Sequence, residues 1–165
     1  NILSADAYTR GDNLVLDFFR VCTTGHEAVT NERDWRGVEK RLAAALEKDD
    51  YDFTEDLEKL KKRRAFHLSQ ELDFPTRISI DNDAHPTYTL IDVQMPDRLG
   101  LLYTLLRALG RAGANIALSR IATEKGAAID SFYVTEVGGA KITAPERQRQ
   151  IDRKLRSTLA KLPPA

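Results

Sequence analysis

The sequence has one cysteine, one tryptophan, one methionine and three histidines in 165 residues, and its 25 basic and 25 acidic side chains leave no net charge. Each scarcity excludes something. The single thiol, Cys22, cannot close an internal disulfide, so a reduced, cytoplasmic setting is the simplest expectation. Zero net charge removes the general electrostatic case for a nucleic-acid or anionic-membrane partner. No apolar run approaches the length of a bilayer span, and no signal-peptide pattern is present. His26, His67 and His85 are scattered without ligand spacing, so each reads as a surface or loop histidine and no metal site is expected. No glycine-rich phosphate loop occurs, and no cofactor is expected. With 42% hydrophobic and 30% charged residues the chain is otherwise of ordinary globular composition.

What the sequence does contain is a repeat of itself at a distance of about 113 residues. Asn1-Ile2 recurs as Asn115-Ile116, Leu16-Asp17-Phe18-Phe19-Arg20-Val21 as Ile129-Asp130-Ser131-Phe132-Tyr133-Val134, and Val38, Leu42 and Leu46 as Ile151, Leu155 and Leu159. The offset slips by one residue in the turn around Gly11 and Gly126. Matched apolar phase across two strands and a helix indicates two copies of one module, each with a thin core that mutual packing or dimerisation would support.

The second copy is the more complete. Thr89, Ile91, Val93 and Met95 alternate with Tyr88, Leu90, Asp92 and Gln94, the pattern of a strand that Pro96 ends. Leu101, Leu102, Leu105, Leu106 and Leu109 form one helical face, with Asp97 placed to cap its start and Gly110 and Gly113 suited to its end. Asn115 to Ala122 and Ala127 to Val137 read as a hairpin around Glu124-Lys125-Gly126. Thr143-Ala144-Pro145-Glu146 has capping-box spacing ahead of the stripe Ile151, Leu155, Leu159 and Leu162.

The resulting order, β, α, β, β, α, predicts an α+β fold of tandem ferredoxin-like βαββαβ units with antiparallel sheets. The expected first unit comprises residues 1–48 plus 75–82, with Thr76 to Asp81 as its last strand; 49–74 form a helical linker, acids first and bases last; 86–165 form the second unit. The first unit lacks its opening strand and helix, and roughly 27 residues, the separation of Tyr88 from Asn115, are expected to precede Asn1 in a longer chain. Exposed strand edges and an open helix-binding face predict a homodimer or swapped assembly.

Asp97-Arg98-Leu99-Gly100-Leu101-Leu102-Tyr103, Gly113-Ala114-Asn115-Ile116, Ser119-Arg120-Ile121-Ala122-Thr123, Asp130-Ser131-Phe132-Tyr133-Val134-Thr135 and Lys141-Ile142-Thr143 together resemble the ACT domain. More narrowly, the whole chain is similar to the tandem ACT region of bacterial protein-PII uridylyltransferase/uridylyl-removing enzymes. The resemblance implies allosteric sensing of an amino acid, glutamine in that group, on behalf of attached catalytic domains that act on the PII signalling protein. It also implies that the chain itself is catalytically inert: the Gly-Ser with paired aspartates of a nucleotidyltransferase and the His-Asp doublet of a metal phosphohydrolase are both missing. The implied ligand site is Asp97, Arg98, Leu99, Gly100 and Leu101, with Asn115 and Ile116 facing them across an ACT-to-ACT contact, and with Asn1-Ile2 available to a neighbouring pocket. Physically, a turn with Gly100 presents amide hydrogens at a helix N-terminus to a carboxylate, while Asp97 suits an ammonium. The family usually carries proline where Leu99 stands, so this loop has more freedom to lose, by a few tenths to about 1 kcal/mol.

Two other readings stay open. Asp97 could merely cap its helix while Gly100 makes room for packing, leaving a structural, oligomerising module without ligand. The same fold also supports RNA recognition, which zero net charge and the lack of an aromatic-rich Lys/Arg-Gly-Phe strand disfavour.

Overall fold

The computed structural model describes residues 1–10, 12, 14–48, 51–64 and 74–162; the turn expected at Gly11, the acids Asp49 and Asp50, and His67 lie outside the described residues. The elements are β1 (Ile2–Thr9), β2 (Val15–Val21), α1 (Glu32–Leu46), α2 (Thr54–Arg64), β3 (Arg77–Asp81), β4 (Thr89–Pro96), α3 (Leu101–Arg111), β5 (Ala114–Glu124), β6 (Ala127–Glu136) and α4 (Pro145–Leu159). They fall into two compact units, Ile2–Arg20 with Ser69–Ala165, and Asn1 with Val21–Leu68.

In the larger unit one sheet runs in the order β2-β1-β5-β6-β4-β3. Strand β4 realises the alternation read from its sequence: Thr89, Ile91, Val93 and Met95 are buried, while Leu90, Asp92 and Gln94 are half-buried on the other face. The buried face meets Leu101, Leu105, Ala108 and Leu109 of α3 and Ile151, Leu155 and Leu159 of α4, the two apolar stripes, with Phe132 and Ile142 filling the space between. The hairpin joining β5 to β6 turns on Lys125 (φ 49) and Gly126 (φ 81), both left-handed, the conformation that matches the natural twist of paired strands. Arg147 ties α4 to its surroundings, pairing with Glu136 (3.0 Å) and donating to the Ala112 carbonyl at the C-terminal end of α3.

The two copies meet through equivalent strands. β1 pairs antiparallel with β5, matching Ser4 to Ala122 and Tyr8 to Leu118. The register that equates Asn1 with Asn115 makes Asp6 the counterpart of Arg120, and these two residues are partners of one another. A local two-fold relation therefore passes between two opposite charges, a favourable cross-strand pair.

Two expectations need correction. The strand expected to close the first unit, Arg77–Asp81, pairs antiparallel with β4, Ile78 against Val93 and Ile80 against Ile91, at the far edge of the sheet from β2. It occupies the closing-strand position of the second copy. A polar cluster holds it there: Asn82 donates to the Ile142 carbonyl (2.9 Å) and accepts from Thr89 Oγ1 (2.7 Å), while Lys141 donates to the carbonyls of Asn82 and His85. The capping box also fails, because α4 starts one residue later than its spacing requires. Ala144 is the N-cap, Pro145 opens the helix, and Glu146 pairs instead with Arg149 (2.8 Å) and Arg153 (3.1 Å).

In the smaller unit Asn31 caps α1, accepting from the Arg33 amide (2.9 Å), and Glu55 and Asp56 lie in the first turn of α2, where they suit the helix dipole. Yet α1 buries nothing. Val38, Leu42 and Leu46 are 45%, 57% and 77% exposed, whereas their counterparts Ile151, Leu155 and Leu159 are 0%, 1% and 4% exposed. The second copy hides these positions in a core shared with β4 and α3, and no described element repeats that strand and helix for the first copy. Leu155→Ala is expected to cost about 2–5 kcal/mol in urea unfolding, and Leu42→Ala, its repeat equivalent, less than about 0.5 kcal/mol; equal losses would contradict the asymmetry.

Candidate functional site at the β4–α3 corner

The corner is built by a proline, a turn and a glycine. Pro96 is the last residue of β4, and the Asp97 amide donates to the Gly126 carbonyl (2.7 Å), anchoring the corner to the β5–β6 turn. The Leu101 amide then donates to the Arg98 carbonyl (3.0 Å), and Gly100 has φ 79, ψ 11. Those angles belong to the third residue of a type II turn, which only glycine adopts at little cost, and whose second residue, here Leu99, favours proline. Thr104 closes the first helical turn, directing both its amide (3.0 Å) and its hydroxyl (2.8 Å) to the Gly100 carbonyl.

Asp97 does not cap α3, contrary to expectation. The N-cap is Gly100, and no side chain caps the helix, because the tight turn places Asp97 three residues upstream of the cap position. Glycine at the cap offers the first turn of α3 no side chain of its own. Asp97 is exposed, and Arg98, Leu99 and Gly100 are half-buried, while Leu101 is fully committed to the core. Asn115 and Ile116 lie elsewhere: Asn115 pairs with Thr135 at one end of β6, whereas Pro96 pairs with Ala127 at the other. Eight residues of β6 separate the two ends, about 26 Å of extended chain. Because β1 runs antiparallel to β5, its start at Ile2, the repeat counterpart of Ile116, lies at the corner's end of the sheet instead.

Sequence reasoning missed Asp130. It stands in the inward row of β6 with Ala128, Phe132 and Val134, between Val93 of β4 and Ile121 of β5, and is 2% exposed. Its Oδ1 has no hydrogen-bond partner. Burial, and secondarily the negative charge of Asp97, push its carboxyl up to about 7, against a smaller opposing effect of the Ala122 backbone. The signal was present: an acid at an apolar phase of the strand, repeated as Asp17 in the first copy.

Two open clefts of about 400 and 540 Å³ flank β3, one lined by Ile80, Gln148, Arg149 and Arg153, the other by Arg77, Ser79, Asp92 and Arg156. Their arginines are largely engaged, Arg149 and Arg153 with Glu146 and Arg156 with Asp152, and neither cleft reaches the corner. Among the described residues no group of three or more His, Cys, Asp or Glu is placed to hold a metal, and no helix is long and apolar enough to cross a membrane.

A family model described as an ACR9-like, ACT-like domain matches residues 77–162, more than half of the chain, and spans the corner, both helices and the strands β3 to β6. The chain belongs to the ACT-like domain family. It is similar to bifunctional uridylyltransferase/uridylyl-removing enzymes from Ruegeria pomeroyi (36% identity over 163 residues, 96% of this chain), Azospirillum brasilense (35% over 162, 97%) and Rhodospirillum rubrum (32% over 167, 99%). In each case the chain spans 17% of the relative's length. No solved structure matches it. The match beginning at residue 77 agrees with the placement of β3 beside β4 in this ACT-like unit.

Two outcomes follow for the corner. Leu99→Pro, at a position already suited to proline, should raise stability by about 0.4–1 kcal/mol in denaturant unfolding. Folded Asp130 retains a proton that the unfolded chain releases, so its contribution to stability is greatest at acid pH and is lost as pH rises from about 4 through about 7. Asp130→Asn should flatten that loss, on the order of 2–4 kcal/mol, when melting is followed from pH 4 to pH 8.

Proposed function

We propose that this ACT-like region is a regulatory sensor that binds a free amino acid, glutamine, at the β4–α3 corner. The observation that carries the reading is the N-terminus of α3 behind left-handed Gly100, a cap residue with no side chain, with an acid at the entrance. Backbone amides at a helix N-terminus attract a carboxylate, and Asp97 takes the ammonium. The turn and helix start supply the backbone of the site.

In this reading the chain is the C-terminal part of a protein whose other domains transfer uridylyl groups to and remove them from a PII signalling protein, as the names of its relatives suggest for the enzymatic part. Regulation requires that glutamine bind one arrangement of the paired units better than another, because only differential affinity moves an equilibrium. The uncovered faces of β2 and α1 favour self-association as a dimer, and they equally support a second reading in which the region serves assembly alone.

Calorimetric titration separates the two. Glutamine should give a saturable heat and a raised melting temperature, and Asp97→Ala should weaken binding by at least about tenfold, the loss of a charge-assisted contact. No heat and no melting shift with glutamine would leave the assembly reading in its place.

A further inference from the structure

The sheet ends on β3, and among the described residues no strand lies beyond it. An unpaired edge is a template for another strand unless its side chains oppose one. The side chains of Arg77-Ile78-Ser79-Ile80-Asp81 do the reverse. Ile78 and Ile80 pack against the core, while Arg77, Ser79 and Asp81 are exposed on the other face. Set antiparallel against itself about Ser79, the segment places Arg77 opposite Asp81, Ile78 opposite Ile80 and Ser79 opposite Ser79, so every residue meets one of matching character. Opposite charges directly across a strand pair attract, and like charges there repel. Among the described residues Arg77 forms no ion pair, and the Asp81 carboxylate accepts through Oδ1 from the amides of Asp83 (2.6 Å) and Ala84 (3.1 Å). The opposite edge of the sheet lacks this property. A two-fold axis through a residue pairs positions an even number of residues apart, and Asp17 and Arg20 of β2 are three apart. Both faces of the β3 edge are also open: the cleft of about 400 Å³ lies between Ile80 and α4, and that of about 540 Å³ beside Arg77, Ser79 and Asp92.

We propose that β3 is a self-recognition edge, which pairs with β3 of a second copy of this chain, antiparallel and centred on Ser79. The interface is isologous, so the Arg77–Asp81 contact occurs twice, and it joins two six-stranded sheets into one. The second copy's isoleucines continue the apolar row on the side of α4 and enter the first cleft, while its polar row continues along the second. Arg156, held by Asp152 (2.9 Å), reaches the Ile78 carbonyl at 3.4 Å, too long a contact to compete with a ladder hydrogen bond. Five paired residues make a small interface, so the association is reversible. It requires nothing of the β4–α3 corner, and it uses the edge of the sheet opposite to β2.

The test is sedimentation equilibrium of the 165-residue chain at low ionic strength, where exposed charge pairs are least screened, with charge reversals at the two ends of β3. Arg77→Asp and Asp81→Arg should each weaken dimerisation by about tenfold or more, since each turns two attractive contacts into two repulsive ones. An equal mixture of the two variants should recover the association, and so should the double variant; recovery shows that neither change acts by unfolding the chain. In parallel, Ser79→Cys should cross-link to itself under mild oxidation, because directly opposed residues of an antiparallel pair lie about 4.5–5.5 Å apart at Cα, within the reach of a disulfide. Peptide mapping by mass spectrometry separates that bond from any made by Cys22. A chain that stays monomeric up to about 1 mM, that dimerises equally well with either reversal, or whose Ser79→Cys variant forms no disulfide at that position overturns the proposal.

Discussion

The pairing of β1 with β5 is the constraint on which the arrangement depends. It joins two copies of a module through the same strand of each, so the partners at its centre, Asp6 and Arg120, are also repeat equivalents. Antiparallel pairing of equivalent strands reverses one copy against the other. It thereby carries the start of β1 to the end of the sheet where β4 turns into α3, and carries the start of β5 to the opposite end. A parallel join would have placed both Asn-Ile pairs at one end. Which Asn-Ile pair shares the corner's end of the sheet follows from the direction of a single strand.

The corner combines two kinds of electrostatic incompleteness. At α3 the cap position is held by Gly100, which has no side chain to offer the helix start, because a type II turn runs through it. In β6 a carboxyl lies where an alkyl group would pack, pushed up to about 7 by burial. Each is a departure from what stability alone would select, and both lie at one end of one sheet. Groups that conflict with local stability are commonly those retained for binding.

Much of the fold was legible in the sequence because periodicity reports burial. The alternation from Thr89 to Met95 and the stripes of Leu101 to Leu109 and Ile151 to Leu159 each specify a face, and those faces meet in the core. Strand partnership was less legible. Ile78 and Ile80 alternate as well beside one copy as the other, and it is the ladder to β4 and the contacts of Asn82 with Lys141 and Ile142, after β6, that assign β3 to the second. Cap positions failed for the same local reason at both helices: a signature residue sits within a turn of the helix start, and backbone geometry at Gly100 or Pro145 decides which residue is the cap. Of the site, Asp97 to Gly100 was readable as a motif. Asp130 was hidden because an acid in an amphipathic strand is ordinarily assigned to the wet face, and only its phase relative to Phe132 and Val134 says otherwise.

The unequal covering of the two copies has a calorimetric meaning. The heat-capacity increment of unfolding, and the slope of stability against denaturant, scale with the apolar surface that folding hides. Phe19 is 55% exposed where its counterpart Phe132 is wholly hidden, and the leucines of α1 stand in the same contrast to those of α4. Nearly all of that thermodynamic signature therefore originates in the ACT-like unit from β3 to α4, and both quantities fall below what a chain of 165 residues would ordinarily give.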